Sequence, residues 1–418
     1  MYKKFNLIIL HIIFLLTSFS LKAEFFEDIS YLIKNNEERL SYGIAVSDVN
    51  KDNKFDFIVT GFNYPNLALT YENGSLINTK TGNIFSAENR NTISVAACDI
   101  DMDGYEEIYF LNTDAFSGIK SNTDILLDLK KNGKFIDLFK IKKNIIDINL
   151  IAGRSVACVD RNGDGKYGIY VSNYGGPSRY YEMQNNTIKD IAANINLNKT
   201  TGGRSIVSGH ILSKKNDIFA GNERGANFLY KNTNGSFKNV ARSYGVEDFF
   251  LNARGTALSD ILYRGRLDIL VSNWQGIHKA YVLKKYKFIN LLDPIYSRPS
   301  KARTLISADF DNDGYDEIFI NNIGESNRLF KILKNGIFEP IPIEIGADAK
   351  GLGTGAAVAD IDDDGILELI IGNGESKAQP LKLYKAKVLK NHKYIRIKPI
   401  NIAGAPARGA TVTLVSNL

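Results

Sequence analysis

DIDMDGYEE (residues 99–107) decides the reading of this chain, because it returns in register as DVNKDNKFD from Asp48, DRNGDGKYG from Asp160, DFDNDGYDE from Asp309 and DIDDDGILE from Asp360. A decayed copy, DILYRGRLD, begins at Asp260, and a seventh frame without its acids surrounds Gly209. A recurrence about every fifty residues is the mark of an array of like structural units. The fuller loops put oxygen-bearing side chains at positions 1, 3, 5 and 9 around a Gly or Asn at position 6. That pattern suits a hard cation with oxygen ligands, most plausibly Ca²⁺. Like charges held this close repel, so a bound cation would turn a liability into a clip between two strands.

The flanks of each loop are short apolar runs. SVAACD, GRSVACVD, RTLISAD and TGAAVAD lead in, and EIYFLN, YGIYVSN, LDILVSN, DEIFINN and LELIIGN lead out. Rich in Ile, Val, Phe and Tyr and bounded by Gly, Asn and Asp, they read as strands. Thirteen residues after the first loop Asp stands an Asn (Asn112, Asn173, Asn273, Asn322, Asn373), with Asn222 in the matching place of the fourth unit and Gly61 in the first. Its side chain is expected to close a turn. A third strand follows, and Asn-Gly pairs at 132–133, 234–235 and 335–336 announce hairpins into a fourth. Four antiparallel strands per unit, seven units and no helix-period segment predict an all-β fold, a seven-bladed β-propeller, whose closure hides sheet edges. FFEDISYL, near the start, has the form of a fourth strand and is expected to complete the last blade, although HKYIRIKPI near the end competes for that place. A longer interval, from Asp99 to Asp160, places an insertion in the second blade around Asp114 to Asp128.

Loop chemistry ranks the sites. Asp99, Asp101, Asp103 and Glu107, Asp309, Asp311, Asp313 and Glu317, and Asp360, Asp362, Asp364 and Glu368 form complete carboxylate sets. The position-7 carbonyls (Tyr105, Tyr315, Ile366) complete these three. The first loop (Asp48, Asn50, Asp52, Asp56) has one charge fewer and carries Asn53 where Gly is usual; Asn tolerates the left-handed backbone. The third keeps Asp160, Asn162 and Asp164 but ends in Gly168, so weak binding or none is expected. In the fifth, Arg264 sits at position 5 between Asp260 and Asp268 and is expected to replace the cation with a bidentate pair.

A second periodicity is basic. Arg154, Arg204, Arg254 and Arg303 recur at intervals of 50, 50 and 49, each at the start of a first strand. Since first strands line a propeller's channel, the four should ring the axis on the face opposite the acidic loops. They are candidates for binding an anionic group of a partner. Internal pairing with Glu223, Glu325 and Glu375, which follow second strands, is the stronger expectation.

The remaining features bound the function. Lys3, Lys4, an apolar run from Leu7 to Phe19 and Leu21-Lys22-Ala23 read as a secretory signal over residues 1–23. The formal net charge of +6 becomes +3 without that segment's three lysines. With no Lys/Arg-rich block, nucleic acid is not an expected partner. Cys98 and Cys158 precede their loop Asp residues by one and two positions, out of phase. Two buried free thiols are therefore expected rather than a disulfide. No HExxH, GxSxG or phosphate loop is present, and the histidines are scattered, so no catalytic activity is expected; the alternative is an exported enzyme with a site in the central channel acting on a glycan or phosphate ester.

The loops and their flanks resemble the FG-GAP/VCBS repeats of integrin α-type propellers. AGRSVACVDRNGDGKYGIYVSNY, SADFDNDGYDEIFINN and ADIDDDGILELIIGNGESKAQPL bring the chain closer still to the cartilage acidic protein family. NHKYIRIKPINIAGAPARGATVTLV is similar to the start of that family's ASPIC/UnbV module. The resemblance implies a propeller over residues 24–390 with a strand extension over 391–418. It also implies a secreted, monomeric Ca²⁺-dependent interaction protein that meets a protein or glycan partner on the face opposite the Ca²⁺ loops.

Overall fold

The computed structural model describes residues 24–79, 81–343, 350–387, 393–413 and 415; the proposed signal segment lies outside them. Among the described residues its strands form five four-stranded antiparallel sheets and one eight-stranded sheet that divides into two such units. Unit one is Ser41–Ser47, Asp56–Gly61, Leu67–Glu72 and Ser75–Asn78. The later first strands are Thr92–Cys98, Gly153–Val159, Thr200–Gly209, Ala253–Ser259, Ala302–Ala308 and Gly353–Ala359. Units three and four are continuous, because Gly168–Pro177 extends to pair with Thr200–Gly209.

Each first strand packs against the first strands of both neighbours, and Gly353–Ala359 meets Ser41–Ser47 to complete a cycle. Hydroxyls tie the cycle across units: Thr304 Oγ1 donates to the Thr354 carbonyl at 2.9 Å, and Thr354 Oγ1 to that of Ser41 at 2.5 Å. The second strands are buried along their whole length in most units, as in Glu317–Asn322 and Asp268–Asn273. They are sandwiched between adjacent sheets, which is why they read as continuous apolar runs. Apolar clusters between consecutive sheets form the core, one joining Phe330, Phe338 and Tyr296 with Leu305 and Ile318.

The last unit is completed from the other end of the chain. Phe26–Asp28 pairs antiparallel with Lys382–Ala386, so FFEDISYL supplies the fourth strand as expected. The edge of the last unit is therefore already taken. Among the terminal segment's described residues only an isolated bridge, Ile400 to Pro406, is β, in place of the expected strand extension. The segment instead crosses the acidic-loop side. Arg396 pairs with Asp360 and Asp363, and Lys398 Nζ donates to the Asn53 carbonyl at 2.9 Å. Arg408 grips both oxygens of Glu106 at 2.6 Å.

The thiol expectation is overturned: Cys98 and Cys158 form a disulfide, their Cα atoms 6.2 Å apart. The one-residue offset does turn the two side chains to opposite faces of their own sheets. Neighbouring sheets in a ring, however, present opposite faces to one another, so being out of phase is what lets the sulfurs meet.

The recurrent Asn does close a turn. The Nδ2 of Asn173, Asn273 and Asn322 donates to the carbonyls of Pro177, Ile277 and Ser326, at 2.7, 2.7 and 2.8 Å. Each of these Asn residues is buried.

Candidate functional site

Each acidic loop is shaped by its own carboxylates before any cation is considered. In the sixth unit Asp309 accepts the N–H groups of Asp313 and Gly314 at 3.1 and 2.9 Å. Asp313 accepts that of Tyr315 at 3.0 Å, and Glu317 that of Phe310 at 3.0 Å. Asp103 and Asp364 repeat the bond to Tyr105 and Ile366 at 3.0 Å each. These bonds bend the chain into a left-handed step, with φ of 89° at Gly314 and 66° at Asn53, so Asn53 does hold the glycine conformation in the first loop.

Three loops bring a carboxylate trio together with ligand oxygens all within 4.8 Å: Asp99, Asp101 and Glu107; Asp309, Asp311 and Glu317; Asp360, Asp362 and Glu368. They are the three loops with complete acidic sets. The trios sit at the base of the second strand, where burial is deep: Glu107, Glu317 and Glu368 are 1%, 0% and 1% exposed. Burial, then the neighbouring acids, pushes the carboxyl of Glu317 up to about 9 and that of Asp101 to about 6, and holds Glu107 well above the usual range. Oε1 of Glu317, Oδ1 of Asp360 and Oδ1 of Asp56 are buried without a hydrogen-bond donor. A buried carboxylate oxygen with no donor is costly, and a hard cation is the partner this set fits.

A pH dependence follows for the metal-free protein. Glu317, at about 9 when folded against 4.5 ordinarily, keeps a proton that the unfolded chain has released. Its contribution to stability therefore falls as pH rises from about 4.5 to about 9. Urea unfolding in chelator should show this decline, and Glu317→Gln should flatten it.

The residue facing the last ligand on the third strand differs among the three trios, a feature the loop spacing did not reveal. Lys331 faces Glu317 and Lys385 faces Glu368. Lys385 Nζ lies 2.7, 2.8 and 2.7 Å from Asp362, Asp364 and Glu368. Lys331 pairs with Asp313. The second loop has no such lysine: Asp128, on the third strand Ile125–Leu129, adds a further carboxylate beside Asp101 and Glu107. Lys130 pairs with Asp128 from the rim. The lysines were visible in NRLFKIL and PLKLYKA; their meaning needed the register.

The weaker loops behave according to their chemistry. In the first, Asp48 is occupied by the N–H groups of Asp52 and Asn53 at 3.1 and 2.8 Å, and Asn50 Nδ2 donates to Asp52 at 3.0 Å. In the third, Asp160 collects the N–H groups of Asn162, Gly163, Asp164 and Gly165. Glu182, which could replace the carboxylate lost at Gly168, is held by Arg161 instead.

In the fifth loop Arg264 does stand in for a cation, but with one partner rather than two. Its Nη2 contacts both oxygens of Asp268 at 2.8 Å, while Asp260 accepts the backbone N–H of Arg264 at 2.8 Å. Asp268 is fully buried. Arg264→Met should lower the unfolding free energy by about 2 kcal/mol in urea titration, because it strands that carboxylate. An unchanged midpoint would remove the stand-in role.

At the opposite end of the first strands, Arg154, Arg204, Arg254 and Arg303 line one central cavity of about 290 Å³. Sequence spacing found them; the backbone explains them. Each occupies the irregular position where the register with the second strand shifts, as between Gly153 and Ser155 or Gly203 and Ser205. A bulge there turns the extra side chain toward the axis. In the other units the corresponding positions hold Tyr42-Gly43, Ile93 and Thr354. Glu223 pairs with both Arg204 and Arg254, and Glu375 with Arg303. The expected pairing is thus present for three of the four arginines, while Glu325 lies near Lys301 at the rim, 4.0 Å away.

Among the described residues no helix is long and apolar enough to cross a membrane. An FG-GAP-like repeat model matches residues 48–110 and 309–371, two spans that begin on a loop Asp. In fold the chain is similar to BBS1N as crystallised with ARL6DN. For the lead-soaked crystal the TM-score is 0.54 at 10% identity, covering 88% of this chain and 98% of that one. For the mercury-soaked crystal it is 0.52 at 10% identity, covering 84% and 94%. That likeness supports a propeller-like all-β architecture alone. Cartilage acidic protein 1 of Xenopus tropicalis is 41% identical over 91% of this chain, and those of Homo sapiens and Mus musculus are 40% identical over the same share. The chain spans 64%, 63% and 65% of the length of these relatives. On this identity and the FG-GAP-like repeats, the chain is a homologue of the cartilage acidic proteins over 91% of its own length.

Proposed function

We propose that this protein is an exported, seven-bladed β-propeller whose second, sixth and seventh loops hold Ca²⁺, and that it serves as an interaction module rather than an enzyme. The observation that carries the reading is the set of three carboxylate trios, each with a buried Glu and half-buried or buried Asp partners, at equivalent places in the repeat. Asp99, Asp101, Asp103 and Glu107 would hold one ion. Asp309, Asp311, Asp313 and Glu317 would hold the second, and Asp360, Asp362, Asp364 and Glu368 the third. Ca²⁺ would supply charge neutralisation, joining first and second strands across the loop. Lys331 and Lys385 would be released to solvent as it binds, while at the second loop Asp128 adds to the attraction.

The relatives' name associates them with cartilage, and the hydrophobic start of this chain fits export, so an extracellular setting is the reading favoured. A protein or glycan partner would dock on the side away from the loops, where the arginine-lined channel opens. Calorimetric titration with Ca²⁺ should give three strong sites. Asp101→Asn, Asp311→Asn and Asp362→Asn should each remove one. A stoichiometry unaffected by these substitutions would sink the assignment.

A further inference from the structure

We infer that the central channel is a receptor for a tetrahedral oxyanion, a sulfate or phosphate group, with Arg154 as its principal anchor. The inference deepens the reading of this face as the partner-binding side.

Charge is the first argument. Four guanidinium groups share the channel with two carboxylates that pair with them, Glu223 and Glu375. Asp114, at the upper rim, is committed to the N–H groups of Ser121 and Asn122, at 2.9 and 2.8 Å. A carboxylate keeps its charge while accepting backbone N–H groups, so with Asp114 counted beside Glu223 and Glu375 one positive charge remains uncompensated. Arg204, Arg254 and Arg303 have side chains only 9%, 12% and 12% exposed. Arginine cannot shed its proton to relieve this, and buried charge of one sign calls for a counter-ion.

Arg154 is where that deficit is concentrated. Among the described residues its partners are neutral: the carbonyls of Gly153 and Phe116 and the hydroxyl of Thr113. Burial and the repulsion of Arg204 press its guanidinium down to about 10. Arg254 adds an unused donor, its buried Nε having no partner.

Geometry is the second argument. Arg154 and Arg204 lie against Tyr174, with centroid distances of 5.5 and 4.9 Å, and Arg254 and Arg303 against Trp274, at 5.1 and 6.0 Å. Stacking fixes the guanidinium planes and leaves N–H edges for bidentate contact with an oxyanion. The cavity of about 290 Å³ continues toward the mouth into a space of about 370 Å³ lined by the same four arginines. Such a space admits a charged group and its immediate attachment but not a folded chain. A sulfate or phosphate group presents three or four oxygens to these converging N–H edges, where a carboxylate presents two.

Trp274, the only tryptophan, reports directly on the site. Its fluorescence should change saturably when the Ca²⁺-loaded protein is titrated with inorganic sulfate or phosphate, against chloride at matched ionic strength. Arg154→Gln should weaken binding at least tenfold and Arg154→Lys by less, while Arg242→Gln, an exposed residue far from the channel, should leave it unchanged. Phenyl sulfate and phenyl phosphate distinguish the source. Tighter binding of the esters identifies a group projecting from a larger ligand; preference for the inorganic ions identifies a free anion. Either supports the site. A response no different from that to chloride, or equal affinity in both Arg154 variants, overturns it. Ca²⁺ stoichiometry is measured independently, so failure of one reading leaves the other testable.

Discussion

Removing Ca²⁺ should lower the unfolding midpoint of this protein by roughly 10 °C. The estimate follows from mass action: a ligand that binds only the native state at a hundred times its Kd contributes about 2.7 kcal/mol per site. Three filled trios then give about 8 kcal/mol, which for a chain of this size corresponds to roughly ten degrees. The loss should not be uniform. At the seventh loop Lys385 reaches three carboxylates at once and at the sixth Lys331 pairs with Asp313, so both keep a tethered counter-ion after chelation. The second loop has no lysine opposite its last ligand, and its extra carboxylate, Asp128, is paired only from the rim by Lys130, so this loop should contribute most. Asp101→Asn consequently has opposite signs in the two states: destabilising with Ca²⁺ bound, and stabilising in chelator, where it relieves repulsion. Calorimetric scans with millimolar Ca²⁺ and with chelator decide this. An unchanged midpoint would mean that lysine and arginine already neutralise the loops and that Ca²⁺ has no structural part.

The second large effect concerns the bond between Cys98 and Cys158. They are separated by 60 residues, and a cross-link over such a loop restricts the unfolded chain by about 4 kcal/mol. Replacing both by Ala should lower the urea unfolding free energy by that amount with Ca²⁺ present. The wild-type protein unfolded in reductant should match the variant. Cys98 is buried in an apolar cluster with Tyr109, Val156 and Ile169, so the native bond should also resist mild reductant. A loss below about 1 kcal/mol would show that the unfolded chain is already confined there.

The loops, the alternating strands and the closing strand were legible because each repeats: one Asp-rich loop is a turn, but several in register are an architecture. The four arginines were legible for the same reason. Features that depend on how units meet were not. The disulfide is one, since phase within a strand says nothing about which faces oppose one another around a ring. Lys331 and Lys385 are another, because only the register sets them opposite Glu317 and Glu368. The third is the terminal segment. HKYIRIKPI alternates like a strand, but the edge it suits is held by Phe26–Asp28, and its Arg396 settles on Asp360 and Asp363 instead.

That edge also sets a schedule for the chain as it is made. Lys382 Nζ bonds Asp28 at 3.2 Å across 354 residues of sequence. At ribosomal rates of 5–20 residues per second, the strand Phe26–Asp28 waits roughly 20 to 70 seconds for its neighbour. Throughout that interval the growing arc has two unguarded ends, open to any extended chain nearby. Aggregation is therefore a hazard of biosynthesis rather than of the finished molecule. A chaperone that shields the early strand until Lys382–Ala386 emerges should raise yield more than any substitution that strengthens the closed ring.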